Sequence, residues 1–395
     1  MTSSADSHSA DPHSVGSLRV LVVSGLLLAL PGGLLPLWAF HIQTDFARGG
    51  DYFIAIAAGL AAGAFLIQKW GGHVSTARLL GYSCFVAAAA IILLAFAAPP
   101  AGFALGFTGL LIAAAAAGAL NAGMLRLIGP AWQSNPAGIT LTGGIYFAAG
   151  SAIASVLLAW CFDAANAPRL IAMLAVVPAM AGSSILLRRG WSSLAPSPEI
   201  QAAPPPGRGV TVLAILFALL LFFQFANEFS IAGWLPIFLI DRLGISPHSA
   251  VDLLALYWLA LAAGRLGAAR LLPRIRRGIL LAGSAFCALF GCAALLAAVT
   301  EFGIAVGILL AGMGFSAIYP LASEKISTRV AVYHPGYFNG IFTFALPGAM
   351  LVPFALGHAA SNLGLRVVPV AAMIGSCAVI LLLLIIWLGR KVSGE

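Results

Sequence analysis

Twelve runs of mostly apolar residues recur along this chain, and no other feature constrains its fold as much. They cover roughly 18–41, 51–69, 78–98, 102–127, 138–161, 168–187, 210–239, 249–272, 277–299, 302–322, 336–358 and 366–389. A helix needs roughly 20 apolar residues to cross about 30 Å of hydrocarbon, where no water is present to satisfy a backbone amide. Each run meets that length. Composition agrees: 61% of the 395 residues are hydrophobic and 8% charged, whereas a soluble domain carries about 25% charged residues. A water-soluble globule and a disordered chain are both excluded. The expectation is an all-α integral membrane protein with twelve transmembrane helices.

The loops are short with one exception. Between the sixth and seventh runs lies RRGWSSLAPSPEIQAAPPPGRG, a Pro-, Ser- and Ala-rich stretch with the character of a linker. Six runs fall on either side. The chain therefore divides into a polar tail (1–17), a six-helix bundle (18–188), a linker (189–209), a second bundle (210–389) and a short tail (390–395). The polar head has no basic start before an apolar run and no cleavage site, so the first run is expected to stay as a span.

Orientation follows from the basic residues. With the N-terminus inside, fifteen Lys and Arg fall on inner loops and tails, and only Arg48, Arg169, Arg242 and Arg366 on outer ones. Both termini are expected to be cytoplasmic, in a plasma (inner) membrane. The net charge of +8 is thus spent on topology. It forms no stripe of the kind nucleic acid requires.

The halves echo one another at an offset of 201. Leu60-Ala61-Ala62-Gly63 matches Leu261-Ala262-Ala263-Gly264, Lys69 matches Arg270, Leu79-Leu80 matches Leu280-Leu281, and Ser83 matches Ser284. Spans 2 and 3 are thereby superposed on spans 8 and 9, as a repeat of six helices demands. Lys69 and Arg270, at matching inner ends, are candidates for gating ion pairs.

A charge inside a span costs about 2.5–3.5 kcal/mol on insertion scales and is a functional candidate by default. Glu228 lies near the middle of span 7, in FFQFANEFSIAGWLPIFL. Gln224, Asn227 and Glu228, at i, i+3 and i+4, share one helical face. That face is expected to line a cavity between the halves, where a carboxyl withdrawn from water can exchange protons. The plainer reading is a glutamate satisfied by a neighbouring helix. Arg265, in span 8, reads first as an arginine that snorkels or clamps helix ends at an inner gate. Its second reading is a cavity charge that pairs with a carboxylate or an anionic substrate.

Two spans carry helix breakers at mid-depth, Pro31-Gly32-Gly33 in span 1 and Pro347-Gly348 in span 11, and both are expected to kink. Trp38, His41, Asn121, Tyr146, Trp234, Tyr257, Tyr319 and Asn339 are the neutral polar and aromatic candidates for substrate contact, with His41 also a candidate proton relay. Trp38, His41 and Trp234 lie where interfacial residues of these types are ordinary. Cys84, Cys161, Cys287, Cys292 and Cys377 sit in apolar runs without a CxxC pair and read as small packing residues. No HExxH, GxSxG or GxxxxGK[ST] motif occurs. Neither metal, cofactor nor enzymatic activity is expected.

With these residues in view, the chain resembles a major facilitator superfamily secondary transporter, and within it the fucose–proton symporter branch of sugar permeases. The resemblance rests on Asn227-Glu228 followed by Gly233-Trp234-Leu235-Pro236 in span 7, on Tyr257-Trp258 and Gly264-Arg265 in span 8, and on GMGFSAIYPLAS in span 10. TGGIYFAAGSAIAS in span 5 is a looser match. It implies alternating access, a sugar or other small polar solute, and proton symport in a monomer. There are departures. Gln68 stands where the inner loop after span 2 usually carries an acid. Spans 1 and 4 lack that branch's proton-linked acids, and span 4 offers only Asn121. Glu228 is then the principal coupling carboxylate, or the protein is a uniporter.

Two alternatives stand beside this reading. One is proton-coupled efflux of amphipathic compounds, although Gly150 is followed by Ser151 where such antiporters carry proline. The other is a receptor or scaffold that transports nothing.

Overall fold

Polar residues placed just ahead of the apolar runs start the helices. Asp45, Ser75, Asn135, Asn166, Ser246 and Thr300 each accept a hydrogen bond from the backbone N–H three residues on. Each so satisfies one of the donors that a helix start leaves open. Gly244 and Gly364, at φ +64° and +77°, follow the ends of two helices in the left-handed conformation that glycine adopts without strain.

A computed structural model of the chain describes residues 18–97, 102–128, 135–187, 208–329 and 345–392. Among them, eleven helices are long and apolar enough to cross a membrane. These are span 1 (Leu18–Leu37), span 2 (Phe46–Trp70), span 3 (Thr76–Ala95), span 4 (Phe103–Leu127), span 5 (Pro136–Trp160), span 6 (Ala167–Leu187), span 7 (Arg208–Leu243), span 8 (Pro247–Leu271), span 9 (Arg277–Ala297), span 10 (Glu301–Lys325) and span 12 (Val367–Val392). Span 11 is described from residue 345, as a short helix to 349, a turn at Met350 and the helix Leu351–Leu363. The protein is a multi-pass membrane protein with the expected all-α, twelve-span architecture. The expected linker (189–209) lies outside the described residues except at its last two positions, as do the head (1–17) and Asn339.

Within the first bundle, span 2 packs on span 4, span 1 on span 5, and span 3 on spans 4 and 6. In the second, spans 8 and 9 pack on span 10, and spans 7 and 9 on span 12. The repeat read from the sequence recurs in this packing. A methyl group added at Gly63 of span 2 would strike the backbone of Ala115 in span 4. One added at Gly264 of span 8 would strike Ser316 in span 10. Both partners of the first contact map onto the second at the same offset of 201. The shared glycine is a close-approach position in each half.

The bundles meet through span 5 on span 8, span 2 on span 11, and span 1 on span 7. Their two ends differ. At the end poor in basic residues they close tightly. Gly50 of span 2 lies against Gly357 of span 11, the Ala47 N–H donates to Ser361 Oγ at 2.9 Å, and His358 meets Asp51 at 3.0 Å. Towards the basic end a cavity opens between the bundles.

Among the described residues, three spans are interrupted. Span 6 breaks between Met173 and Val176. Span 10 breaks at Ala317, because Pro320 brings no N–H to the Ser316 carbonyl. Span 11 turns at Met350, three residues after Pro347. In span 1 the helix Leu21–Leu37 continues through Pro31, Gly32 and Gly33. There the glycines serve packing, with Gly32 against the Ala232 carbonyl of span 7 and Gly33 against Leu158 of span 5.

Candidate functional site

The cavity between the bundles measures about 760 Å³ including its open mouth. Span 1 contributes Leu18, Leu21 and Leu28, and span 4 contributes Asn121, Met124, Leu125 and Ile128. Span 5 adds Ile139, Thr140, Gly143, Gly144 and Phe147, and span 7 adds Phe225, Glu228 and Phe229. Arg265 comes from span 8, Tyr319 from span 10 and Leu346 from span 11. Both bundles thus build one wall. At its blind end Phe147 and Phe229 pack edge-on at 6.4 Å, with Trp258 behind them at 6.0 and 6.4 Å.

One pair of charges lies on this mostly apolar wall. Arg265 Nη2 stands 3.7 Å from Glu228 Oε1, and neither side chain is more than 5% exposed. Arg265 does not snorkel to the helix end. Its Nη1 donates across the bundle interface to the Gly144 carbonyl of span 5, while Nε has no hydrogen-bond partner among the described residues. A methyl group at Gly144 would strike the guanidinium, so the bare glycine backbone is what lets the arginine lie there. Two charges withdrawn from water require each other, since either one alone would stand uncompensated in a low dielectric.

Glu228 is braced by its own helix and by two neighbours. Gln224, one turn earlier, approaches Glu228 Oε2 with its amide at 3.5 Å and donates to the Phe315 carbonyl at 3.0 Å, beside the break in span 10. Tyr257 of span 8 donates to the Glu228 backbone carbonyl at 3.2 Å. The broken helix thus supplies the acceptor that orients the glutamine, and the glutamine contacts the carboxylate.

The remaining candidates divide into three groups. Asn121 and Tyr319 line the cavity. Asn121 Oδ1 accepts from Ser24 at 3.1 Å, and Tyr319 packs on Phe225 at 5.3 Å. Gln224, Tyr257 and Asn227 are buried beside or behind the wall. Asn227 turns from the face it was expected to share and donates to Ser376 Oγ of span 12 at 3.5 Å, with Gly375 making room for it. Tyr146 is half-buried against the core and does not line the cavity.

Trp38, His41 and Trp234 form the third group, at the basic-poor end. Trp38 packs on Tyr52 at 5.1 Å. Trp234 donates its indole N–H to the Pro353 carbonyl at 3.0 Å and faces Phe53 and Phe46 of span 2 at 5.9 and 6.4 Å. It seals the bundle interface and does not line the cavity. His41 sits on the short helix Phe40–Gln43, where burial holds its pKa below the usual 6.5 and the Pro36 carbonyl partly offsets the effect. Lys69 and Arg270 are exposed at the basic end. At that end of the second bundle Arg277 pairs with Glu324 at 2.9 Å.

Sequence reasoning missed Phe225, Phe229, Phe147, Thr140 and the Gly144 carbonyl. Phe225, at i−3 from Glu228, shares its helical face and was readable from spacing, whereas Phe229, at i+1, points about 100° round the helix and was not. Gly144 carries no such signal, because its role lies in a backbone oxygen and an absent side chain.

No protein-family model matches this sequence, and no curated protein matches it. Solved structures do match its fold. It aligns with a bacterial homologue of the human drug peptide transporters PepT1 and PepT2 at a TM-score of 0.69 and 13% identity, covering 96% of this chain and 99% of that one. It aligns with the human organic anion transporter MFSD10 (TETRAN) at a TM-score of 0.60 and 15% identity, covering 94% and 97%. At these identities the likeness is one of fold: the chain has the twelve-helix architecture of major facilitator superfamily transporters.

Proposed function

We propose that this protein is a secondary transporter that moves a small organic solute by alternating access, with Glu228 as the proton-coupling group. The observation that carries the reading is the Glu228–Arg265 pair, buried at 3.7 Å on the wall of a cavity that both bundles build. A buried ion pair is weak support for stability, since apolar residues of similar volume do as well. Set on a cavity wall, it is better explained as machinery. Protonation of Glu228 releases Arg265, and Arg265 is bonded to Gly144 of the other bundle, so a proton can change how the bundles hold each other. In this reading residues 18–188 and 210–389 are the two rocking bodies, 189–209 links them on the cytoplasmic side, and the monomer is the working unit. The basic end faces the cytoplasm, and the cavity opens inward.

The sugar that the symporter resemblance implies has few polar partners on this wall. Asn121, Thr140 and Tyr319 are the neutral polar groups there among the described residues, and the Thr140 hydroxyl already donates to the Pro136 carbonyl at 2.7 Å. The solute favoured here has an apolar body. That also keeps efflux of amphipathic compounds in play as the second reading, favoured by the Phe147–Phe229–Trp258 cluster at the blind end.

Proteoliposomes with an imposed inward proton gradient test the proposal, with wild type beside Glu228→Gln and a panel of labelled sugars, organic anions and cations. The expected result is gradient-driven accumulation of one class, lost in Glu228→Gln while solute exchange persists. Accumulation that survives in the variant overturns the coupling assignment. A panel in which nothing is transported and nothing stabilises the folded chain favours the scaffold reading.

A further inference from the structure

Resting on the transport reading above, we infer that the cargo is an amphipathic organic monoanion, which takes the place of Glu228 at Arg265 as Glu228 takes up a proton. The wall itself is one argument. Among the described residues it is dominated by leucine, isoleucine, methionine and phenylalanine, and its few neutral polar groups are partly engaged: Asn121 with Ser24, and Thr140 with Pro136. A polyol entering here would leave hydroxyl groups without partners. An apolar body with one ionised group would not.

The second argument is the state of the guanidinium. Arg265 has five N–H donors and no capacity to accept. It makes one hydrogen bond, to Gly144, lies 3.7 Å from the nearer Glu228 oxygen, and leaves Nε without a partner among the described residues. That is a loose pairing, well short of the two-pronged contact that a planar carboxylate or sulfonate makes with arginine. Arg265 is therefore placed to accept a better-seated anion from the cavity side.

The third argument is charge arithmetic. With Glu228 ionised and the cavity empty, the pair sums to zero. An anion alone brings the site to −1, and a proton alone brings it to +1. Either state leaves a buried charge uncompensated, and such a site resists enclosure between the two bundles. Anion and proton together return the sum to zero. The carrier then crosses empty or doubly loaded, and the cycle is electroneutral with one proton per anion. The titratable groups that face the pair are Tyr257 from span 8, Tyr319 from span 10 and, behind Tyr257, Cys292 from span 9. Among the described residues, spans 1, 4, 5 and 11 bring no titratable side chain to the cavity lining, which leaves Glu228 as the carboxylate to take the proton.

The test uses the full-length chain, with naphthalene-2-sulfonate as probe and naphthalene-2-sulfonamide as its neutral match. The sulfonate stays ionised at all working pH values, so any proton taken up on binding is taken up by the protein. Titration calorimetry in two buffers of different ionisation enthalpy counts it. We expect the sulfonate to bind at least tenfold more tightly than the sulfonamide, with one proton taken up per anion. Glu228→Gln is expected to bind the sulfonate with no proton uptake. Arg265→Gln is expected to lose the preference for the anion, and Arg265→Lys to keep part of it. In proteoliposomes, sulfonate uptake should rise with an inward proton gradient and ignore an imposed potassium diffusion potential. Equal binding of the two probes, binding to wild type without proton uptake, or uptake that follows the potential would each overturn the inference. Counterflow of a sugar with none of the sulfonate overturns it too, while leaving the transport reading intact. If Arg265→Gln does not fold, the wild-type proton count decides.

Discussion

The two ends of the bundle interface are held by different physics. At the basic-poor end, contact is made by backbone and ring, Gly50 against Gly357, Trp234 wedged against Phe46 and Phe53, and the Ala47 N–H capped by Ser361 from the other half, with the partly exposed pairs His358–Asp51 and His248–Asp163 at the rim. Towards the basic end, span 5 packs along span 8 and adds polar contacts to spans 8 and 10, Gly144 with Arg265 and Thr140 with Ser323 at 3.5 Å, and a cavity lies alongside. Close packing is a many-atom interaction with no dependence on protonation. A buried ion pair is a two-atom interaction that a proton can cancel. The Glu228–Arg265 pair lies within the second bundle and reaches the first through the Arg265 bond to the Gly144 carbonyl.

Each prediction that follows alters one side of that contrast. The largest effect is expected from Arg265→Ala, which leaves Glu228 buried beside no cation. Transport should fall at least a hundredfold and stability by about 3–5 kcal/mol, read by counterflow and thermal melting. Next is Gly357→Val. Even the first carbon of the new side chain would stand 2.6 Å from both Gly50 Cα and the Phe46 carbonyl, so the seal must open. The expected cost is about 1–3 kcal/mol. A cysteine introduced at Phe229 should then react with an impermeant thiol reagent added from the basic-poor side, and should stay protected without the valine. Trp234→Phe retains the ring and loses the bond to Pro353, at about 1 kcal/mol, with a small rise in the same labelling. The smallest effect is a pH dependence at His41. Burial favours its neutral form, so its contribution to stability is full above the ordinary histidine value of 6.5 and is lost as pH falls towards the lowered one. The melting temperature of wild type should fall relative to that of His41→Asn as pH drops through this window.

Much of the architecture was readable before any coordinates. The twelve runs, the division between the sixth and seventh, and the offset of 201 that aligns Gly63 with Gly264 all express short-range rules of length and spacing. Glu228 stood out because a carboxylate among phenylalanines is costly to insert. The directions of its neighbours were not readable. Gln224 and Asn227 lie on nearly the same helical face, yet one reaches the Phe315 carbonyl and the other Ser376, because the gap between spans 10 and 12 falls between them. Trp234 and Tyr257 were both candidates for substrate contact as polar aromatics, and one faces span 2 across the interface while the other braces Glu228.

Residue type and period determine which segments leave water, how often they cross and where a charge is expensive, since those depend on solvation and on helical geometry alone. The partner of that charge is a matter of tertiary packing. Glu228 and Arg265 are 37 positions apart, and Gly144 is 121 from Arg265. Their meeting depends on how span 5 lies across span 8, which rests on glycines, broken helices and backbone oxygens whose effect appears only when two helices touch.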